Sequence, residues 1–461
     1  MLKPAPDISL LRHGGIAYAW HERAFLSEPQ ARYALERLWQ LVAGCAGWQG
    51  EPVLTFAAIT ADQVQQELDL APGELPWLEL AALLPRGASL GLDTGHLPAL
   101  CRIAPGAPGC DGSATFPLDL PAALFMALTR WEEANRPVPD AFGCHDEQAT
   151  QCYRQGFLDR PVLDEWALVL RSRVEAACPG WRALPPAASF WISHDIDVPW
   201  FYRDLSRVGR GVAKRLVRQR SPLGALGQLV CGLRSLRRPE HDPCYRGVLD
   251  LMDLDESLGQ KGTFFFMTAR PGGVDEGYDL AHPPLRRLLD QVRERGHEVG
   301  WHIGELASRE PDVFQRERDR FFEICGAHPC GVRHHYLAWR GAHSWRRMAD
   351  SGFSYDSSLG YNYRPGGFRC GTAHPFPVYD AAGERVMPLV ERPLIVMDSP
   401  VMLAASQDSL PAQEEAITRI RRRCAATGGC FSILVHNTFD WYYPGAADFF
   451  GSWLQRQAQG I

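Results

Sequence analysis

Apolar runs alternate with amphipathic stretches from Gly262 to the region of His436. The apolar run Thr263–Met267 predicts a buried strand, and the helical pattern over Pro284–Gly296 ends at a glycine. The alternation continues in two series, with strands predicted over His297–His302, Gly331–Leu337, Phe353–Asp356 and Cys430–His436, and helices over Asp312–Gly326, Ser344–Gly352 and Ala412–Thr427. Strands that alternate with helices predict a parallel α/β architecture.

Residues 1 to about 185 have a different pattern, in which amphipathic helices are mixed with short apolar strands. Helices are predicted over Ala31–Ala43 and Leu120–Glu133, and the Pro-rich stretch Ala183–Ala188 predicts a linker. A chain of 461 residues is too long for one ordinary core. We therefore predict an N-terminal accessory domain over 1–185, of α/β or α+β class, and a second domain over 186–461.

Charged and histidine side chains follow the predicted strands at the points where these strands end. The strand Ser189–Ser193 leads to Asp195 and Asp197, which share one face and lie roughly 6–7 Å apart along the chain. Later strand ends carry His302, Arg333, His335, Asp356 and His436. A lone Asp-x-Asp is more typical of a turn that leaves a strand. Because active groups of parallel α/β folds lie at the carboxyl ends of strands, the coincidence predicts one shared site.

The segment Arg203–Arg238 carries ten Arg and Lys residues against one acid, Asp204. Its apolar residues recur at helical spacing, which predicts a basic helical insertion within residues 203–240. Three roles are open for this insertion: a solvated helical surface, a basic lid over an anionic substrate, or a contact with an acidic membrane surface. Because it follows Asp197 directly, we expect it at the mouth of the predicted site.

The overall composition limits the class of protein. A formal net charge of −6 argues against a general nucleic-acid-binding protein. No apolar run approaches the ~18 residues that a membrane span requires, and Met1–Asp7 lacks the pattern of a signal segment. The 13 cysteines have neither a pairing pattern nor zinc-ribbon spacing. We therefore expect reduced thiols and a cytoplasmic location.

Taken in chain order, these segments resemble the polysaccharide deacetylase family, the chitooligosaccharide deacetylase-like hydrolases of the carbohydrate esterase type. That family has an Asp pair, a histidine after a Gly-His-Glu-Val-Gly strand, an Arg-x-x-Tyr motif and a Leu-x-His motif. This chain carries the four motifs as Asp195–Asp197, Gly296–His302, Arg333–Tyr336 and Leu434–His436. Two further segments, Leu120–Glu133 and Gly367–Gly371, are similar to one two-domain bacterial branch of the family.

The resemblance implies a distorted parallel (β/α) barrel over 186–461 and a hydrolase that removes an acetyl group from an N-acetylated sugar or glycan intermediate. Asp197 and His302 would hold a divalent metal, with zinc expected, and Asp195 would be the base, oriented by Arg333. His436 would protonate the departing amine, with Asp356 as its carboxylate partner and Asp398 as the substitute. The backbone near Tyr336 would complete an oxyanion hole.

The chain departs from the family at the third metal ligand. The family has a second histidine four residues after the first, and this position is Leu306 here. Three candidates remain, Glu305, Ser308 and His335, and we favour His335 because imidazole nitrogen suits zinc.

Other functions also remain open. Trp441 is a candidate for stacking on a sugar ring, although packing explains it equally well. The substrate is expected to be an acylated sugar, including one that bears phosphate. The alternatives are a glycan-binding or scaffolding protein that kept the barrel without the metal, and a hydrolase of a non-sugar amide.

Overall fold

The computed structural model describes residues 8–103, 116–140, 144–217, 220–272, 274–326 and 331–458. Within these ranges, no helix combines the length and the apolar character needed to cross a membrane. The cysteines in the described ranges are free thiols.

The N-terminal region contains two small sheets and the helices that pack on them. Strand β1 pairs antiparallel with β2, β2 pairs parallel with β3, and β4 pairs antiparallel with β5. The elements are β1 (Ile8–His13), β2 (Ile16–His21), α1 (Glu28–Ala43), β3 (Leu54–Ala57), α2 (Ala61–Leu68), β4 (Trp77–Glu79), α3 (Leu80–Leu83), β5 (His96–Pro98), α4 (Leu120–Leu128), α5 (Trp131–Asn135), α6 (Gln151–Arg154) and α7 (Val162–Ala177).

The single helix predicted over Leu120–Glu133 is two helices, α4 and α5. The chain breaks at Arg130, whose φ of 52° lies in the left-handed region. There the Arg130 guanidinium donates to the carboxylate of Glu133 at 2.6 Å and to the backbone carbonyl of Arg369. A tertiary contact, which helical periodicity does not encode, therefore ends the helix early.

The second region has the predicted alternation of strands and helices. An antiparallel pair, β11 and β12, was not predicted. The elements are β6 (Ser189–Ile196), α8 (Leu205–Val217), α9 (Pro222–Arg237), α10 (Pro243–Ser257), β7 (Thr263–Met267), α11 (Pro283–Glu294), β8 (Glu298–Ile303), α12 (Glu305–Arg309), α13 (Pro311–Cys325), β9 (Gly331–His334), α14 (Ala342–Asp350), β10 (Tyr355–Asp356), β11 (Phe376–Asp380), β12 (Arg385–Glu391), β13 (Val396–Met397), α15 (Asp398–Gln407), α16 (Leu410–Ala426), β14 (Cys430–Leu434), α17 (Phe439–Tyr442) and α18 (Ala446–Ala458).

The strands of this region form one nine-stranded sheet in the order β11-β12-β10-β9-β8-β7-β6-β14-β13. All neighbouring pairs are parallel except β11 with β12. The sheet is strongly curled. Strands β6 and β10 are four positions apart, about 19 Å in a flat sheet, yet the rings of Trp191 and Tyr355 lie 5.9 Å apart. The predicted barrel is therefore a curled sheet in which the edge strands β11 and β13 do not pair with each other in the described residues.

The two regions share one continuous hydrophobic core. Tyr33 on α1 packs against Tyr379 on β11, with 4.7 Å between ring centroids. The predicted linker also contacts the N-terminal region, because Leu184 exchanges backbone hydrogen bonds with Ala43 and Cys45. A boundary at residue 185 stays a prediction.

Candidate metal centre

Strand β6 delivers Asp195 to the interior of the curled sheet. Residues two apart in a strand share a face, so Asp195 lies on the same side as Trp191, which packs against Phe265 and Tyr355 inside the curl. Asp197 follows directly after the strand, and its side chain keeps 20% of its surface exposed. One acid is thus enclosed and the other borders solvent.

Arg333 on β9 reaches across the interior to Asp195. Its Nη1 donates to Asp195 Oδ1 at 2.9 Å, while Nε and Nη2 donate to the carbonyl and hydroxyl oxygens of Ser357. The guanidinium also lies over the Phe265 ring, 4.6 Å from its centroid. These contacts fix the Asp195 carboxylate in one orientation.

Asp197, His302 and His335 offer three ligand atoms within 4.8 Å of one another. His302 Nε2 lies 3.2 Å from Asp197 Oδ1, and His335 Nε2 lies 3.8 Å from Asp197 Oδ2. Both His302 Nε2 and Asp197 Oδ1 are buried and lack a hydrogen-bond partner. Buried polar atoms are normally paired, so this pair of atoms calls for a proton or a cation between them.

Hydrogen bonds at the other ring nitrogens orient both imidazoles. His302 Nδ1 lies 3.0 Å from the backbone carbonyl of Arg333, and His335 Nδ1 lies 2.6 Å from Asp275 Oδ1. A carbonyl and a carboxylate only accept, so each Nδ1 carries the hydrogen and each Nε2 faces Asp197. This is the usual arrangement of metal-binding histidines and their supporting acceptors. The residues present fit a divalent metal.

Asp275 was not predicted from the sequence. It lies in the loop between β7 and α11, outside any strand end or motif, and it also accepts from the backbone N–H of Glu305 at 3.0 Å. Only the fold brings it against His335, so no local pattern indicated its role.

His436 follows β14 and reaches the same site. Its Nε2 lies 3.7 Å from Asp197 Oδ2, and its Nδ1 lies 2.7 Å from Asp398 Oδ1. Burial alone would lower the pKa of His436, but the carboxylates of Asp398, Asp197 and Asp195 raise it to about 10. The neighbouring carboxylates therefore favour the protonated, cationic form of the His436 ring.

Asp356 is not the partner of His436. Its carboxylate accepts from Ser358 Oγ at 2.6 Å and from Trp345 Nε1 at 3.2 Å, beside the buried Glu391. Burial raises the pKa of both Asp356 and Glu391, so this pair of acids retains a proton. The partner of His436 is Asp398, the substitute named from the sequence, because α15 begins beside the end of β14.

The other two candidates for the third ligand are engaged elsewhere. Glu305 pairs with Arg309 and Arg340 at 2.9 and 3.0 Å, and Ser308 Oγ accepts from Arg340 at 2.9 Å. Of the three candidates, His335 alone belongs to the described metal-capable group.

Of the two predicted substrate-binding residues, Tyr336 contacts a residue of the site. Tyr336 packs on His335 with 4.2 Å between ring centroids, and its φ of 55° lies in the left-handed region. Trp441 is half-buried and packs on the rings of Phe201 and Tyr202. A free face for a sugar ring on Trp441 stays a prediction.

His194, which precedes Asp195 within β6, links this strand to two neighbouring segments. Its Nδ1 lies 2.9 Å from the carbonyl of Val435, and its Nε2 lies 3.1 Å from Asp255 on α10. It thereby ties β6 to the residue that precedes His436.

The fold and the site define a mixed α/β protein with a candidate mononuclear metal centre at the carboxyl ends of its strands. Residues 62–179, all before β6, match the model of a family of unknown function, DUF7033. No curated protein matches the chain.

Solved structures with some similarity include a provisionally assigned polysaccharide deacetylase from Mycobacterium smegmatis, with 16% identity, a TM-score of 0.38 and coverage of 59% of this chain and 84% of that one. Another is a provisionally assigned polysaccharide deacetylase involved in O-antigen biosynthesis from Bordetella bronchiseptica, with 17% identity, a TM-score of 0.26 and coverage of 41% and 65%.

Proposed function

We propose that this protein is a metal-dependent hydrolase that removes an acetyl group from an N-acetylated sugar or glycan intermediate. One observation carries the proposal: a metal-capable trio, a fixed carboxylate and a cationic histidine meet at one strand-end site. Hydrolysis of an amide needs these three functions, namely activation of water, a base and an acid for the amine. The sugar substrate rests on the four motifs that resemble the polysaccharide deacetylases.

Asp197, His302 and His335 would hold the metal, and zinc suits a set of two imidazoles and one carboxylate. When bound, a divalent cation lowers the pKa of water and polarises the acyl carbonyl. The Asp197 side chain keeps a fifth of its surface exposed, so the site is in contact with solvent at this residue.

Asp195 would take the proton of the attacking water. Arg333 holds one carboxylate oxygen of Asp195, and the other, Oδ2, lies 3.8 Å from His302 Nε2. The carboxylate is therefore next to the metal-capable atoms without being one of them.

His436 would protonate the departing amine. Its pKa of about 10 keeps it protonated at neutral pH. Asp398 fixes the ring through Nδ1 and leaves Nε2, the nitrogen near Asp197, to donate. Tyr336 and Trp441 would position the acyl group and the sugar ring.

The free thiols of the described cysteines support a reducing, cytoplasmic location. An intracellular substrate would be a sugar intermediate, including a phosphate-bearing one. Residues 1–185 would serve as an accessory domain to the deacetylase-like region over 186–461.

The test is acetate release from N-acetylated monosaccharides, oligosaccharides and non-sugar acetamides. Purified protein is assayed as isolated, after treatment with a chelator, and after addition of Zn²⁺, Co²⁺ or Mn²⁺. We expect release from a sugar substrate that is lost with the chelator and restored by metal.

A matched control is His343→Ala, which removes an exposed histidine outside the site and should leave metal content and activity unchanged. Protein that binds sugars without binding metal would instead be a glycan-binding protein. Release from acetamides alone would identify a hydrolase of non-sugar amides.

A further inference from the structure

Helix α9 presents a row of apolar side chains to solvent. Leu223, Leu226, Val230 and Leu233 recur at spacings of three and four residues and so share one face. Their exposed fractions are 84%, 57%, 41% and 45%. A continuous apolar row on an exposed helix face marks an interaction surface.

The opposite face of α9 is already used in packing against α8. A Cβ at Gly232 would lie 2.7 Å from Val208, and one at Gly211 would lie 2.8 Å from Gln228, so glycines allow the two helices to approach closely. The buried residues of α9, Ala225, Gly232 and Ser235, are small. The exposed leucines therefore cannot turn inward without breaking this close contact.

The charged side chains on α8 and α9 themselves are all positive, although Glu240, just after α9, is also exposed. Arg234, Arg237 and Arg238 are exposed at the end of α9, and Arg210 and Lys214 are exposed on α8. No Asp or Glu occurs in the described residues 205–217 or 220–238. Leucines beside cations suit an anionic lipid surface, whereas a second copy of this chain would bring like charges together.

We propose that the α8–α9 pair docks on an anionic phospholipid bilayer. The apolar row of α9 enters the headgroup boundary, and the arginines and lysine contact lipid phosphates. Insertion of the apolar side chains supplies short-range binding, and the cations supply a longer-range attraction that salt screens.

The base of the α8–α9 pair is anchored beside the candidate metal centre. Gln228 Nε2 donates to Tyr202 Oη at 2.7 Å, and Arg203 donates to the carbonyl of Gly277 at 2.7 Å. Phe201 packs on Trp441, with 5.1 Å between ring centroids. These contacts lie next to the segments that carry Asp197, Asp275 and His436.

A protein docked through α9 would hold its metal centre close to the bilayer. If the proposed function holds, the substrate class is a membrane-held acylated sugar, such as one linked to lipid through phosphate. This consequence rests on the proposed function, whereas the docking itself does not.

The test is co-sedimentation with vesicles of phosphatidylcholine alone or mixed with phosphatidylglycerol. The docking variant is Leu226→Ser with Val230→Ser and Leu233→Ser. The matched control replaces three apolar residues exposed elsewhere, Val386→Ser with Leu403→Ser and Leu410→Ser. Circular dichroism and metal content verify that each variant is folded.

We expect wild-type protein and the control to bind the anionic vesicles, with binding that weakens as salt rises. The docking variant should bind at least about tenfold more weakly, because three apolar side chains that would enter the bilayer are lost. His302→Ala should bind vesicles like wild type, which separates docking from catalysis.

The proposal is overturned by absent vesicle binding, by equal binding to neutral vesicles, or by normal binding of the docking variant. A wild-type dimer in light scattering that becomes a monomer in the docking variant would also overturn it, in favour of a second copy. Failure of docking with intact acetate release from a soluble sugar would leave the proposed function standing.

Discussion

Two buried clusters of charged residues differ in how fully their polar atoms are hydrogen-bonded. At the junction of the two regions, Glu133 lies between Arg130 and Arg369, and both of its oxygens accept from guanidinium groups at 2.6–3.1 Å. The guanidinium groups use further nitrogens on backbone carbonyls, Arg130 on Ala127 and Arg369 on Gly360. This junction cluster needs nothing from outside the chain.

The candidate metal centre is also buried, yet it is incomplete. His302 Nε2 and Asp197 Oδ1 face each other at 3.2 Å and neither has a hydrogen-bond partner. In a cluster with every polar atom paired, the loss of one partner destabilises the fold, whereas a cluster that leaves convergent atoms unpaired is suited to a ligand. The contrast predicts that mutations in the two clusters will have opposite consequences.

The largest effect is expected from Asp197→Ala and His302→Ala. Each removes one of three ligands, so metal content and acetate release should both fall to background, as measured by elemental analysis and by the acetate assay. Thermal stability of the metal-free Asp197→Ala protein should change little, because Asp197 Oδ1 has no hydrogen-bond partner to lose, whereas His302→Ala also loses the hydrogen bond between Nδ1 and the Arg333 carbonyl. Metal retained by the His302 variant would contradict the assignment.

Asp195→Asn should separate catalysis from metal binding. The amide keeps the shape of the side chain but cannot take a proton, so turnover should fall by about 10²–10⁴-fold. Metal content should match that of wild type. A variant that loses metal as well would show that Asp195 is a ligand and not the base.

Glu133→Gln should destabilise the protein by about 3–5 kcal/mol, because two buried guanidinium groups lose their shared anion. Denaturant unfolding measures this change, and metal content at low temperature should be unaffected. An unchanged midpoint of unfolding would show that the junction cluster does not hold the two regions together.

The stability difference between wild type and Glu133→Gln should depend on pH. Burial opposes ionisation, but Arg130 and Arg369 together hold the pKa of Glu133 well below its usual range. A lowered carboxyl pKa contributes stability above the unfolded value of about 4.3, and this stability is lost as the pH falls below it. Wild-type stability should therefore fall on acidification below about pH 4 more steeply than that of Glu133→Gln.

The smallest effect is expected from Asp275→Asn. Asp275 supports His335 through Nδ1 and does not reach the metal-capable atoms itself. Loss of such a supporting carboxylate typically weakens metal affinity about 10–100-fold, which competition with a chelator can measure. Asp398→Asn is the matched variant on the acid side, and it should leave metal affinity unchanged while lowering turnover.

The local pattern of apolar and polar residues was sufficient to predict the strands that carry most of the site residues. Strand β7 was predicted with the bounds Thr263–Met267 that it has, and the predicted strand ends lie within a few residues of those observed. Parallel strands separated by helices place their carboxyl ends at one edge of a sheet. The periods of the apolar residues therefore already predicted that Asp195, His302, Arg333 and His436 would lie near one another.

Which of these groups touch was decided by tertiary structure. The curl of the sheet brings Arg333 on β9 to Asp195 on β6, and the start of α15 gives His436 the partner Asp398 in place of Asp356. Asp275 and its partner His335 are 60 positions apart in the sequence. Glu133 and Arg369 of the junction cluster are 236 positions apart.

The sequence by itself determined the period of each segment and the types of side chain at its ends, because these depend on neighbours along the chain. It did not determine which carboxylate meets which imidazole. That pairing depends on how far the sheet curls and where each loop returns, and such distances are set only when the whole core packs together.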